Sequence, residues 1–263
     1  MLDLVTAVRY DGRVQSGRTM PVRLACETAV REEVEVVAKL SASCDRGVTA
    51  LMAEAIAAML AADLDLPVPE PFLVRLEPDF VDAIADSEVA AIARKSSPIA
   101  FGSKKLPPGY TTWPVGKAIP KDALAVAAEV FAFDALIANA DRRIDNPNCL
   151  FVGANLAIID HELAFITEGV IGWKPPWQVG ALDSLRRAQS HLFTEQLRGK
   201  ELSFERLAGA WTAVTDVRLS EYRGALPTEW DAASDSANAA LSHIAAVRDN
   251  LDMALQEIAR VLL

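Results

Sequence analysis

Residues 139–160 read NADRRIDNPNCLFVGANLAIID and form the most informative stretch of the chain. Two short apolar runs, CLFV and LAII, are joined by the turn-forming residues GAN, so the stretch predicts a β-hairpin. Asp141 precedes the hairpin, and Asp160 closes its second strand nineteen positions later. The spacing favours a pair of carboxylates placed around one hairpin to hold Mg²⁺ and phosphate groups. The competing interpretation, two unrelated aspartates in turns, explains the spacing less well.

An amide ligand is expected beside these carboxylates, and two asparagines qualify. Asn146 follows Asp141 by five positions, whereas Asn148 stands directly before the first strand. The strand favours Asn148, because a magnesium ligand must be held in place by the structure behind it. Either residue also suits an Asx-turn, in which the side chain bonds only to the local backbone. Both asparagines therefore remain candidates.

Composition and charge limit the classes of function. The chain has 263 residues, of which 51% are hydrophobic and 24% charged, so it can bury a substantial core. The formal net charge of -10 at pH 7 argues against general nucleic-acid binding, which needs clustered Lys and Arg. We therefore expect no nucleic-acid partner.

Cysteine use and hydropathy indicate a cytoplasmic protein. Cys26, Cys44 and Cys149 are widely separated and lie outside any CxxC spacing, so neither a disulfide framework nor a zinc site is predicted. The N-terminal residues carry charges where a signal peptide needs an apolar core. The most apolar run, LMAEAIAAMLAADLDL, is interrupted by Glu54 and Asp63 and is shorter than a membrane span.

The first hundred residues predict strands around one helix. Three strands are expected in MLDLVTAVRY, PVRLACET and VEVVAKLSA, and a fourth in FLVRL. Between them, the segment from Val48 to Leu64 has helical spacing, with its larger apolar side chains on one face, and the prolines of LDLPVPEP end this helix. A helical segment is then expected from Glu77 to Lys95, followed by a short strand and a loop rich in Pro, Gly and Ser.

The rest of the chain is predicted to be mostly helical. A strong helix is expected from Lys121 to Ala140, directly before the hairpin. Residues beyond about Asp183 read as helices, ending in a long one from Ala232 to Leu263. The Pro- and Gly-rich loop before Lys121 is the expected boundary between two parts of the molecule.

Lys39 and Glu54 are each unusual in their local context. Glu54 lies inside a helix that is otherwise Ala, Leu and Met, an unfavourable place for an unpaired carboxylate. Lys39 ends an apolar strand. An ion pair between them would explain both residues, whereas the competing interpretation leaves Lys39 on the surface and turns Glu54 toward solvent. The pairing is the favoured prediction.

Five segments, in this order and spacing, resemble the HipA-like kinases, relatives of the bacterial HipA kinases and more distantly of the phosphatidylinositol kinases. The segments are GRTMPVRLAC, VVAKL, ALMAEAIAAMLAADLDLPVPEP, DALIANADRRIDNPNCLF and LAIIDHELAF. The resemblance extends from about Gly17 to Phe165. It implies an α+β, two-lobed protein-kinase-like fold, with a small antiparallel-sheet N-lobe containing one helix (residues 1–104) and a mostly helical C-lobe (residues 105–263).

The resemblance also implies ATP and Mg²⁺ as cofactors and assigns roles to the catalytic candidates. Lys39 is expected to hold ATP phosphates and Glu54 to orient Lys39. Asp141 is expected to serve the attacking hydroxyl, with Arg142 neutralising this carboxylate or contacting phosphate. Asp160 is expected to hold the metal together with Asn148 or Asn146.

The nucleotide-binding candidates are Gly17, Arg18, Thr19, Lys39 and Phe101. The loop QSGRTMP has one glycine instead of a glycine series, so Arg18 and Thr19 are expected to contribute more than backbone amides. Ser16 and Thr19 flank Gly17 and Arg18, and the resemblance suggests that this loop is autophosphorylated. Two further departures from related kinases are Asp-His-Glu in place of Asp-Phe-Gly, and Arg143 in place of a common His.

The acceptor of the phosphate is the most open part of the hypothesis. A Ser or Thr hydroxyl of a protein is favoured, and a lipid or small molecule is the first alternative. The absence of a basic amphipathic surface helix from the sequence pattern counts against a phosphoinositide. A nucleotide-binding interaction module without transferase activity, for instance the partner of an antitoxin, and a purely structural helical protein are the alternatives from other classes.

Overall fold

A computed structural model describes residues 2–14, 19–167 and 169–263. Contacts divide the chain into two compact units that alternate along the sequence. Unit 1 is drawn from Met1–Met59, Pro69–Leu106 and Glu221–Asn238, and unit 2 from Leu60–Val68, Pro107–Ser220 and Ala239–Leu263. The two-lobed arrangement divided at residues 104 and 105 stays a prediction.

Strands and helices lie close to where the sequence predicts them. The strands are β1 (Asp3–Arg13), β2 (Val22–Glu27), β3 (Glu33–Lys39), β4 (Pro71–Arg75), β5 (Ile99–Lys104), β6 (Thr111–Thr112), β7 (Cys149–Val152) and β8 (Asn155–Ile158). The α-helices are α1 (Val48–Asp63), α2 (Pro78–Asp82), α3 (Ser87–Lys95), α4 (Leu124–Leu136), α5 (Thr194–Leu197), α6 (Glu205–Thr212), α7 (Asp216–Ala225), α8 (Ser234–Asp249) and α9 (Leu251–Leu262). Short 3-10 helices cover Ser41–Ser43, Lys121–Ala123, Asp183–Arg186 and Thr228–Ala233.

The five strands of unit 1 close into a barrel in the order β1-β2-β3-β5-β4. Four of the pairings are antiparallel, as predicted, but β1 pairs with β4 in parallel, so the prediction of a purely antiparallel sheet is wrong. The reason is topological. Strand direction cannot alternate all the way around a closed ring with an odd number of strands, so one pair must run parallel.

Alternating side chains from all five strands fill the barrel. The core cluster includes Val5, Ala7, Val22, Leu24, Cys26, Val36, Ala38, Phe72, Val74 and Ala100. This period of two is the pattern expected when one face of each strand is buried. The apolar strand signals in the sequence therefore correspond to the barrel interior.

Helices of unit 1 differ from the prediction in number and in burial. The prediction of an N-lobe with one helix is wrong, because α2 and α3 also belong to this unit. Both lie within the segment from Glu77 to Lys95 that the sequence predicts to be helical. The Asp86 side chain caps α3 and accepts two hydrogen bonds from Arg13, each 2.7 Å long, which ties the helix to the end of β1.

Helix α1 is buried on every side. Its residues 50–61 are all buried, rather than only those on one face, as expected for a helix with almost no polar residues.

The core of unit 2 contains the predicted hairpin. Strands β7 and β8 pair in antiparallel fashion through the turn at Gly153, whose φ is 61°, and β6 adds a third strand. Trp113, which follows β6, packs edge-on against Phe151 and Phe193, with ring centroids 5.3 and 5.5 Å apart. Helix α4 leads into the hairpin, as the sequence predicts.

The last helical region is divided into two. The single helix predicted from Ala232 to Leu263 is wrong, because the backbone leaves helical geometry at Asn250, between α8 and α9. The Asn250 side chain donates to the Ala246 carbonyl at 2.8 Å, a local bond that competes with the helical pattern. Among the described residues, no helix is both long and apolar enough to cross a membrane.

Cysteines in both units are buried thiols. Cys26, Cys44 and Cys149 are thiols that form no disulfide. Burial raises the pKa of Cys26 to about 12 and that of Cys149 to about 11, so neither forms a thiolate readily at neutral pH. Cys26 packs in the core of the barrel.

A substitution at Gly102 tests how closely the barrel interior is packed. A Cβ atom at this position would lie 2.4 Å from Val36 Cγ1 and 2.7 Å from Val74 Cγ2. We expect Gly102→Ala to lower the free energy of unfolding by about 1–3 kcal/mol, because the barrel must expand to admit the methyl group. Urea denaturation measures the change.

Gly209→Ala provides the matched control. Gly209 lies in α6, and a methyl group added to it would meet nothing within 4 Å, so the same substitution should stabilise the protein by about 0.5–1 kcal/mol. Equal effects of the two substitutions would contradict the close packing described for β5.

Candidate active site

Lys39 and Glu54 form a buried ion pair within unit 1. Lys39 Nζ lies 2.5 Å from Glu54 Oε1, and the two residues are 8% and 2% exposed. Lys39 is the last residue of β3, and Glu54 lies in the middle of α1. The alternatives of a surface lysine and a solvent-facing glutamate are therefore wrong. The pair joins a strand end to a helix, as in the strand-lysine and helix-glutamate pair of protein kinases.

Phe101 is the cross-strand neighbour of Lys39. The two residues are in register between β3 and β5, so their side chains share one face of the barrel wall. Their neighbours Ala38 and Ala100 belong to the barrel core, which places Lys39 and Phe101 on the opposite, outer face. The structure therefore brings a predicted phosphate-contacting residue and a predicted nucleotide-binding residue side by side.

The predicted phosphate loop is described in part. Gly17, Arg18 and Ser16 lie outside the described residues. Thr19 is described, and it is 5% exposed. The loop ends are joined by a bond from Val14 N to the Pro21 carbonyl, 2.8 Å long. The nucleotide-binding roles of these residues stay predictions.

Asp141 is held by both candidate asparagines of unit 2. Its Oδ2 accepts a bond from Asn146 Nδ2 at 2.7 Å and another from Asn148 Nδ2 at 3.1 Å. The Arg143 guanidinium lies 3.7 Å from Oδ1, the other carboxylate oxygen. The Asp141 side chain is 16% exposed, so it is oriented by the protein and still reaches solvent.

These amides fit a role as magnesium ligands. An asparagine that donates through Nδ2 keeps its Oδ1 as an acceptor, which is the role that a cation ligand needs. The Asp160 carboxylate adds further oxygen donors within the same unit, and oxygen donors are those that Mg²⁺ prefers. Both asparagines remain candidates, because each donates to Asp141 Oδ2.

Arg142 connects the segments that carry these ligands. It is 0% exposed, and its five N–H groups meet five acceptors. The acceptors are Asp134 Oδ2 (2.6 Å from Nε), Asp134 Oδ1 (3.2 Å from Nη2), His161 Nε2 (2.9 Å from Nη2), the Ile159 carbonyl (3.1 Å from Nη1) and the Asn148 carbonyl. Its guanidinium is thus directed into the protein, so the prediction that Arg142 neutralises Asp141 or contacts phosphate is not supported.

Both carboxylate oxygens of Asp134 also accept several hydrogen bonds. Besides the two bonds from Arg142, its Oδ1 accepts from Asn139 Nδ2 at 2.7 Å and its Oδ2 from His191 Nε2 at 3.1 Å. Asn139 in turn accepts a bond from the Asp141 backbone N–H at 3.2 Å. A chain of hydrogen bonds therefore connects the end of α4 to the backbone of the predicted catalytic aspartate.

The charges of this network are set by burial and by pairing. Burial opposes ionisation of Asp134, but the charge of Arg142 and the surrounding hydrogen bonds outweigh it and hold the pKa of this carboxyl well below its usual range. Burial likewise opposes the charge of Arg142, and attraction to Asp134 outweighs it, so the pKa of the guanidinium is raised. Burial lowers the pKa of His191, which donates through Nε2 and accepts from Phe193 N through Nδ1.

A second histidine fixes the end of α4. His243 Nε2 donates to the Leu136 carbonyl at 2.7 Å, and burial lowers the pKa of the ring. Trp173 and Trp177 pack against the same imidazole with centroids 6.0 and 6.5 Å away. The two tryptophans therefore anchor their loop to the core of unit 2.

Sequence reasoning missed Asp134, Asn139 and His191 as parts of this site. The available signal was a carboxylate inside the apolar run VFAFDALIANA, the same kind of signal that identified Glu54. His191 is 57 positions from Asp134 and carries no local pattern that reveals its partner.

Comparison with known proteins supports the family and the fold. A model of the family described as HipA-like kinase matches residues 12–258. The crystal structure of the proinflammatory kinase CtkA of Helicobacter pylori aligns with a TM-score of 0.50, covering 100% of this chain and 99% of that chain, at 11% sequence identity. No curated protein matches the chain significantly. At such low identity the structural likeness shows the fold alone.

Because the family model covers most of the chain, this protein belongs to the HipA-like kinase family. The resemblance identified from five segments of sequence is thereby confirmed. The similarity to CtkA also agrees with the prediction of a mixed α/β fold of the kinase type.

The pKa shifts predict that acid destabilises the fold. The folded-state pKa of His191 and of His243 is lowered, so below about pH 6.5 the unfolded chain binds more protons and stability falls with decreasing pH. The pKa of Asp134 is lowered too, so a further loss begins below about pH 5. We expect the free energy of unfolding to fall by up to about 1.4 kcal/mol per pH unit for each proton involved.

Urea denaturation between about pH 7.5 and 4 tests this expectation. His191→Gln should reduce the slope between about pH 7.5 and 5, because one titrating group is removed. His243→Gln is the matched variant for the second histidine. A stability that is constant or rises on acidification would contradict the assignment of neutral, buried imidazoles.

Proposed function

We propose that this HipA-like kinase transfers the γ-phosphate of ATP, with Mg²⁺, to a Ser or Thr hydroxyl of a protein. The observation that carries the proposal is the buried Lys39–Glu54 pair, 2.5 Å between Nζ and Oε1. Burying an ammonium and a carboxylate costs desolvation free energy, so a buried pair of this kind is weak evidence for stability alone. A functional role would explain why it is kept. A lysine fixed in this way is suited to hold ATP phosphates, with Glu54 orienting it.

Asp141 is proposed to orient the accepting hydroxyl and to receive its proton. Two amides donate to Oδ2, so Oδ1, which lies 3.7 Å from the Arg143 guanidinium, is proposed as the oxygen that accepts a hydrogen bond from the hydroxyl. Fixing the carboxylate through two hydrogen bonds lowers the reorganisation needed when the acceptor binds.

Asp160 and one asparagine, Asn148 or Asn146, are proposed to hold the metal. When bound, Mg²⁺ neutralises the charge of the phosphate oxygens that develops during transfer. The residues of this chain contribute oxygen ligands on fixed backbone, with the Asn148 and Ile159 carbonyls both bound by Arg142. Phe101 and Thr19, with Gly17 and Arg18, are proposed to bind the nucleotide.

Replacement of the catalytic aspartate tests the function. We expect Asp141→Ala to reduce Mg²⁺-dependent ADP release by about 10²- to 10⁴-fold while leaving the circular dichroism spectrum unchanged, because the residue acts on the hydroxyl and is not part of the core. Asp145→Asn is the matched control: Asp145 lies in the same loop, its side chain is 76% exposed, and it pairs with Arg143.

The outcomes distinguish the competing functions. Unchanged turnover in Asp141→Ala would contradict the assigned role, and a similar loss in Asp145→Asn would indicate a general sensitivity of the loop. Stabilisation of the wild-type protein by Mg²⁺ and ATP without ADP release would indicate a nucleotide-binding module, such as the partner of an antitoxin. If a lipid or a small molecule accepts phosphate and no protein does, the proposed protein acceptor is wrong and the lipid or small molecule takes its place.

We also propose autophosphorylation of the loop that contains Ser16 and Thr19. Thr19 is 5% exposed, so phosphorylation at this position requires the loop to move. The added charge would repel ATP phosphates and lower activity. Mass spectrometry after incubation with ATP should detect phosphate in the peptide spanning Gly12 to Lys39, and Asp141→Ala should abolish it. An unmodified peptide from an active enzyme would refute the proposal.

A further inference from the structure

Arg142 lies between two backbone segments that carry the candidate metal ligands. Its Nη1 group donates to the carbonyl oxygen of Asn148 and to that of Ile159, the residue before Asp160. The Asn148 carbonyl also accepts from the Ile159 backbone N–H at 3.0 Å. One nitrogen of one side chain thus bonds to the main chain beside both ligands.

Both of these ligands have an unusual backbone. Asn148 has φ of 43° and Asp160 has φ of 62°, in the left-handed region that side-chain-bearing residues rarely adopt. Asn and Asp adopt this region more readily than other side-chain-bearing residues, but the conformation is still less favourable than the common ones and is stabilised by surrounding contacts. The bonds from Arg142 supply contacts of this kind to the main chain at Asn148 and next to Asp160.

The guanidinium group is suited to this position in a way that other cations are not. Five acceptors around the group match the five N–H donors of arginine, whereas an ammonium has three donors on a single atom. The bidentate bond to Asp134 fixes the direction of the fork, and His191 and Asn139 fix Asp134 from the other side. The direction in which Nη1 points is therefore set by residues outside the metal site.

We propose that Arg142 is a positioning residue that sets the distance and orientation of Asn148 relative to Asp160, and so determines the geometry offered to Mg²⁺. The proposal rests on the proposed function and deepens it. Arg142 touches neither substrate nor metal in this scheme and acts through the two carbonyl groups. Because Arg142 bonds to the Asn148 carbonyl and to the carbonyl before Asp160, the proposal favours Asn148 over Asn146 as the amide ligand.

The experiment compares Arg142→Lys and Arg142→Gln with Arg206→Gln. Arg206 is the matched control, because it also pairs with a carboxylate on α4, Glu129, at 2.8 Å from Nε, and it bonds to neither carbonyl. Arg142→Lys keeps the positive charge opposite Asp134, so it provides the measurement if Arg142→Gln does not fold. All variants are compared at a temperature at which circular dichroism shows them to be folded.

Two measurements are made on each protein. Hydrogen exchange without metal or nucleotide should show lost protection in the peptides covering residues 148–160 of Arg142→Lys, including the Ile159 amide, with the barrel strands unchanged. Titration of Mg²⁺ in the presence of a non-hydrolysable ATP analogue should require about 10- to 100-fold more Mg²⁺ for half-maximal binding, the usual effect of losing a residue that orients metal ligands. Arg206→Gln should match the wild type in both.

The outcomes separate this proposal from the proposed function. If Arg142→Lys has a lower melting temperature but the Mg²⁺ requirement of the wild type, Arg142 is only structural and the proposal is overturned. Unchanged exchange at residues 148–160 overturns it as well. If the wild type binds no Mg²⁺–nucleotide and releases no ADP, the proposed function fails, and the exchange measurement alone then decides whether Arg142 couples the two segments.

Discussion

The hydrogen bonds between Arg142 and Asp134 are the interaction on which the organisation of unit 2 depends. Removing either partner would leave a charge uncompensated at a site that is 0% exposed on the arginine side, a change that typically costs about 3–5 kcal/mol. The pair is tolerated because every donor of the guanidinium has an acceptor. Around this centre, the end of α4, the loop of Asp141 and the segment of Asp160 are held to one another.

The same region contains several backbone positions with positive φ. Besides Asn148 and Asp160, Ala138 has φ of 55° and Phe165 has φ of 62°. Phe165 N donates to the Ile137 carbonyl at 2.8 Å, so these conformations are supported by bonds between the segments that precede and follow the hairpin. Residues in such conformations cluster at functional sites in proteins, where accurate side-chain placement outweighs the local cost.

The sequence predicted those features that have a local or periodic signal. The Lys39–Glu54 pair was predictable because a carboxylate in an apolar helix needs a partner, and the hairpin from Cys149 to Ile158 because its two runs flank a turn. Asp134 carried the same signal as Glu54 but was not recognised as part of the site. The parallel β1–β4 pair was not predictable, since alternation shows which face of a strand is buried but not which strand lies beside it.

Closure of the barrel has a consequence for recognition. Each of its five strands has two neighbours, so the backbone N–H and C=O groups within the paired registers are used inside the ring and offer no edge there onto which an extended peptide could be added. In unit 2, by contrast, β6 is an outer strand of an open sheet, and both of its threonines are exposed. An extended segment of another chain could therefore pair with β6, whereas the paired parts of the barrel offer no such edge.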